Sequence, residues 1–251
     1  MDTFSAIIFC GIILCLAAMI QAAVGFAYAL FATPLLVWIG IPLHQVIVMV
    51  SVGSLLQSVA GVRSLHASIP WKEVGMATAL SIVGLIAGLI ILRQIISLDP
   101  RYILMIVGTA LSVLVVVQLI FKPRQVDKVK WPYTVLAFLL SGVFSGTIGM
   151  GGPPLVLWVM AHDWEPAKIK GFYFASFLLF IPIMIVLMAI LPGFGPLSKP
   201  ILLSLAYFPL IYAGSLVGLK IGNQLSRRKL YVVTCIFLFI TGISTIISAL
   251  S

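Results

Sequence analysis

The sequence predicts an all-α integral membrane protein made of two inverted repeats. Each repeat holds about four helices plus one broken or re-entrant helix, for about 8–10 transmembrane segments by length. Three observations carry this. Hydrophobic residues make up 62% of the 251-residue chain and charged residues 8%, with a mean hydropathy of +1.25, a composition no water-facing globular surface tolerates. Apolar runs recur at 74–92, 102–121, 173–191, 201–219 and 230–250, each near the roughly 20 residues with which a helix crosses about 30 Å of hydrocarbon. The chain also repeats itself.

The repeat has an offset of 124 residues: Gln21-Ala-Ala-Val-Gly25-Phe-Ala27 falls on Ser145-Gly-Thr-Ile-Gly149-Met-Gly151, and without a gap Pro42 falls on Pro166. With six further residues admitted, Gly84 to Gly88 falls on Gly214 to Gly218, and Arg93-Gln94 on Asn223-Gln224. The units are therefore a first repeat at 1–121, a basic cytoplasmic linker at 122–131 and a second repeat at 132–251.

Charge sets the orientation. If residues 4–39 and 132–161 each cross once, Lys and Arg divide seven against eight between the two sides. If each segment instead enters and comes back, twelve collect on one side and only Arg93, Arg101 and Lys199 stay opposite. The second division is the excess expected of cytoplasmic loops, so the halves are read as inverted, with both termini outside. Residues 1–9 lack a basic n-region, so the first apolar run is read as a span and residue 1 as the start. The net charge of +9 is scattered over loops rather than gathered on a basic face, which argues against a nucleic-acid partner.

Each break needs a partner for the backbone groups it frees at hydrocarbon depth. In the second half the run is Ser145-Gly-Thr147-Ile-Gly149-Met-Gly151-Gly152-Pro153-Pro154, where proline suits the first turn of a new helix. In the first half, Thr33 stands in capping position before Pro34. Two opposed helix N-termini near the midplane, with their free N–H groups and positive dipole ends, would make an anion site. Its candidate residues are Gln21, Gly25, Thr33, Ser54, Gln57, Ser145, Thr147, Gly149, Gly151 and Gly152. Ser54 and Gln57 lie within the span 44–62 and serve either the site or interhelical hydrogen bonds. Gly84 and Gly88 are read as packing residues.

The remaining polar residues have plainer readings. His162, Asp163 and Glu165 belong to an interfacial turn anchored by Trp164, and Trp71 and Trp131 are belt residues beside charges. Cys10, Cys15 and Cys235 lie in apolar runs without CxxC spacing and are packing residues. No catalytic residue, cofactor or metal site is assigned.

The doubled break, Gln21 to Pro34 and Gly146-Thr-Ile-Gly149-Met-Gly-Gly-Pro-Pro-Leu155, resembles the sulfite exporter TauE/SafE family (toluenesulfonate uptake permease superfamily) over essentially the whole chain. Ala27 and Ala29 stand where the family often has glycine. The resemblance implies a secondary carrier of the bacterial inner membrane for sulfite, sulfonates such as sulfoacetate, or related small organic anions. Expected partners are a small anionic substrate and the lipid bilayer, with a homodimer left open. No GxxxxGK[ST] phosphate loop is present, so alternating access would draw on a gradient or a separate partner rather than on bound ATP. A carrier of cations or other small solutes, an intramembrane enzyme and a scaffold subunit stay open as alternatives.

Overall fold

The computed structural model describes residues 3–120, 126, 129–224 and 227–250, and within these every regular element is helical. The helices of the first half are α1 (Thr3–Val24), α2 (Tyr28–Trp38), α3 (Leu43–Leu65), α4 (Trp71–Ile95) and α5 (Pro100–Ile120). Those of the second half are α6 (Trp131–Ile148), α7 (Gly152–Met160), α8 (Pro166–Ile190), α9 (Ser198–Ala206), α10 (Phe208–Gln224) and α11 (Arg227–Leu250). Of the basic linker only Val126, Val129, Lys130 and Trp131 fall within the described residues. The side chains of Asn223, Gln224, Arg227, Arg228 and Lys229, used above for repeat and charge, fall outside them.

Local chemistry fixes many of the helix starts. Proline occupies the first turn of α6 and α8, where its missing N–H costs nothing. At the start of α5, Asp99 accepts the Arg101 backbone N–H at 2.9 Å. Among the described residues six helices are long and apolar enough to span a membrane, and α9 with α10 adds a seventh, bent by 53°. The apolar run 201–219 is thus not one straight helix. The break falls at Tyr207, whose hydroxyl donates to the Ile7 carbonyl at 2.8 Å, and Pro209 follows in the first turn of α10.

Glycines set the closest packing. On α4 and α6, a Cβ at Gly84 would strike the Leu139 carbonyl, one at Gly88 the Val143 carbonyl, and one at Gly142 the Ser81 carbonyl. Gly214, Gly218 and Gly222 of α10 meet Cys15, Met19 and Ala23 of α1 in the same manner. Without a hydrophobic drive between helices in lipid, such close backbone approach is what makes helices associate. Gly84 and Gly88 therefore have the packing role expected of them. In both pairs the contact numbers rise together, so α4 runs parallel to α6, and α1 parallel to α10.

These directions fix the course of the two broken segments. Arg93 at the end of α4 lies beside Gly193, just past α8. Residues 37, 40–44, 96, 98, 100 and 103 line a common crevice at this end, and Trp38 donates to Ser248 of α11 at 2.6 Å. At the other end Gly171 of α8 packs on Ile69, and the Val126 N–H reaches the Ala161 carbonyl at 3.0 Å. Accordingly α1 and α2 enter from the Arg93 end and return to it, whereas α6 and α7 enter from the opposite end and return there. Between the two hairpins, α3 and α8 pack antiparallel, with Gly61 against Phe174.

Candidate functional site

The site is built where the two hairpins turn. After α1 the chain passes through two left-handed residues, Gly25 (φ 99°) and Ala27 (φ 85°). Glycine adopts that conformation freely, but alanine pays for it with its Cβ. Helix α2 then begins at Tyr28, so Thr33 and Pro34 lie inside it rather than at its start. The expected capping role of Thr33 is corrected accordingly: its hydroxyl is buried without a hydrogen-bond partner among the described residues. Two left-handed positions turn the chain before the Thr-Pro pair is reached, and Pro34 is accommodated as a residue of the helix.

In the second hairpin α6 ends at Gly149 (φ 74°), and its N–H bonds the Ser145 carbonyl at 3.0 Å. The Ser141 hydroxyl donates to the Gly151 carbonyl at 2.7 Å and draws the start of α7 back onto α6. Gly151 is held so closely that a Cβ there would overlap the Ser145 Oγ and the Ser141 carbonyl.

Between the hairpin tips lies a cavity in which the centres of water-sized groups can occupy about 50 Å³. A single ordered water needs roughly 10–15 Å³ on this measure, so the space suits a few waters or one compact ion. Gln21 and Ser145, aligned by the 124-residue repeat, both line it, as do the aligned pairs Ala27 with Gly151 and Tyr28 with Gly152. Ser51 and Ser54 enter from α3, and Phe177, Phe180, Ile181 and Met184 form the α8 wall. The Gln21 Nε2 donates to the Ser54 Oγ at 3.2 Å. None of the lining residues carries a charge.

Neither α2 nor α7 has a side-chain cap. The first-turn amides of a helix have no intrahelical acceptor. In α2 these are the N–H groups of Tyr28, Ala29 and Leu30, all three residues of the cavity wall. In α7 two of the three first-turn positions are Pro153 and Pro154, which have no N–H, and Gly152 alone supplies a donor. The glycine-poor break thus offers more amide donors than the glycine-rich one, although both point a helix N-terminus toward the space.

The other expected site residues lie outside the cavity wall. Gly25 faces the Lys170 side-chain stem and Tyr173. Thr147 turns to α4 and donates to the Gly88 carbonyl at 3.4 Å. Gln57 ties three helices together, its Nε2 donating to Ser215 Oγ at 2.6 Å and to the Ala18 carbonyl at 3.1 Å. Tyr28, Ser51, Phe177 and Phe180 were not singled out from the sequence. The repeat alignment does set Tyr28 opposite Gly152, which was a usable signal. Phe177 and Phe180 sit in a helix apolar on every side, where periodicity cannot tell a cavity face from a lipid face.

Membrane-length helices packed around an uncharged cavity, into which Gln21, Ser51, Ser54 and Ser145 bring polar groups, are what a multi-pass membrane transporter requires. The chain belongs to the Sulfite exporter TauE/SafE family, matching it over residues 10–245, and this is a family of membrane exporters of sulfite and related sulfur anions. No curated protein and no solved structure matches the chain.

Proposed function

We propose that this protein is a secondary carrier of a small sulfur oxyanion or sulfonate in a bacterial inner membrane. Its halves, 1–121 and 132–251, act as inverted repeats that rock around the central cavity. The observation that carries this is the uncapped start of α2. Tyr28, Ala29 and Leu30 of its first turn, which has no side-chain cap, line a space that Gln21, Ser51, Ser54 and Ser145 also line. Buried N–H groups of this kind require a water or ligand acceptor. A neutral set of donors at two dipole ends attracts an anion without holding it as tightly as a salt bridge, which suits a solute that must be released.

Repeat geometry supports the rocking motion, since the hairpins open toward opposite ends while α1 on α10 and α4 on α6 make equivalent contacts. No carboxylate lines the cavity, which disfavours a dehydrated cation and leaves no wall residue to carry a coupling proton. Coupling then falls to the gradient of the anion itself or of its protonated form.

The test is thermal stabilisation of the detergent-purified protein by sulfite, thiosulfate, sulfoacetate, taurine, small carboxylates and chloride, beside the variant Gly151→Leu. Selective stabilisation by one sulfur anion, absent in the variant, is expected. Stabilisation by cations alone, or equal responses of variant and native protein, would remove the anion site.

A further inference from the structure

A second, smaller cavity lies beside the central one, between α4, α6, α7 and α8. It is lined by Ala77, Thr78, Ser81, Ser141, Ser145, Leu155, Ser176, Phe177 and Phe180. Of these, Ser145, Phe177 and Phe180 also line the central cavity. Five hydroxyl side chains therefore converge on a space where the centres of water-sized groups can occupy about 20 Å³, enough for about one oxygen-sized group.

Two of the five hydroxyls are already committed as donors. Ser81 donates to the Phe138 carbonyl at 3.0 Å and Ser141 to the Gly151 carbonyl at 2.7 Å. Two others, Thr78 Oγ1 and Ser176 Oγ, are buried with no hydrogen-bond partner among the described residues, and their residues are only 8% and 4% exposed. An unsatisfied buried hydroxyl costs stability unless something in its cavity bonds it. The reciprocal junction of α1, α3 and α10 shows the alternative solution. There the long amide of Gln57 spans the gap, bonding Ser215 of α10 and the Ala18 carbonyl of α1. Short hydroxyls on α4 and α8 need a bridging group to do the same.

We infer that the side cavity is a subsite for one neutral hydroxyl group, bridged between Thr78 and Ser176 and lying next to Ser145 at the substrate cavity. A neutral group is specified because no charged side chain lines this space. Two sources supply that chemistry: a water molecule, or the hydroxyl of a substrate whose anionic end occupies the central cavity. The substrate arm rests on the anion-carrier function proposed above, whereas the bridged site itself does not.

The experiment uses the purified full chain, the variants Thr78→Val and Ser176→Ala, and two matched ligands, ethanesulfonate and 2-hydroxyethanesulfonate. If water is the bridge, each variant melts at a lower temperature than the native protein without any anion, and the two sulfonates bind equally. If the substrate hydroxyl is the bridge, native protein prefers 2-hydroxyethanesulfonate by roughly 3–10-fold, the value of one hydrogen bond. That preference then disappears in both variants. Variants that melt no lower than native protein, together with equal binding of the two sulfonates, overturn the inference, because replacing a truly unbonded hydroxyl with an apolar group is neutral or stabilising. Should neither sulfonate bind, the anion site fails, while the melting temperatures still decide on the bridged pocket.

Discussion

Tyr28, the first residue of α2, lies against Gly53 in the middle of α3, so closely that a Cβ at position 53 would overlap the phenol oxygen. In the second half the sizes are exchanged. Gly152 begins α7 with nothing near its missing Cβ, and Phe177 of α8 supplies the aromatic wall. At the positions that the 124-residue alignment pairs, Tyr28 with Gly152 and Gly53 with Phe177, large and small side chains are thus exchanged, and the cavity wall is chemically asymmetric. The substitution Gly53→Ala is expected to push the Tyr28 ring into the cavity, abolish stabilisation by anion and cost about 1–3 kcal/mol by overpacking. Adding Tyr28→Ala to that variant should recover much of the lost stability. Denaturation curves of the single and double variants check the coupling.

Ala27 holds a left-handed conformation that side chains rarely adopt. Ala27→Gly removes the clash of the Cβ with the backbone and is expected to stabilise the protein by roughly 1 kcal/mol, net of the added freedom of glycine in the unfolded chain. A rise in melting temperature with unchanged anion selectivity is the expected result. A fall would show that the Cβ of Ala27 is needed in the cavity wall.

The buried glutamines Gln21 and Gln57 should separate by assay. Gln21 faces the cavity and bonds Ser54, whereas Gln57 bridges α1, α3 and α10. Gln21→Leu is expected to weaken anion binding by about tenfold, the loss of one charge-assisted hydrogen bond, with a small change in melting temperature. Gln57→Leu should lower the melting temperature and leave affinity nearly unchanged. Titration by calorimetry alongside thermal melts reads both.

Thr33 carries a buried hydroxyl with no partner among the described residues. Thr33→Val keeps its shape and removes the unsatisfied group, so stability is expected to stay level or rise by up to about 1 kcal/mol. A marked loss of anion binding in this variant would return Thr33 to the site.

The membrane nature of the chain was determined by sequence alone. No arrangement of 62% hydrophobic and 8% charged residues can present a water-compatible surface over its whole length. The packing role of Gly84 and Gly88 was readable too, because close helix approach requires residues without Cβ at spaced positions, a local property. The doubled break was visible for the same reason. What tertiary structure decided was the partner of each polar group. Thr33 and Thr147 are polar residues near a break, yet one lies inside α2 and the other bonds Gly88 across α4. Gln57 sits one turn from Ser54, and that small rotation around α3 sends it to Ser215 instead of the cavity. In helices apolar on every side, sequence carries no marker of which face meets lipid, protein or cavity. That assignment arises only when α1, α3, α6 and α8 are packed together and each side chain meets the neighbour its helix rotation allows.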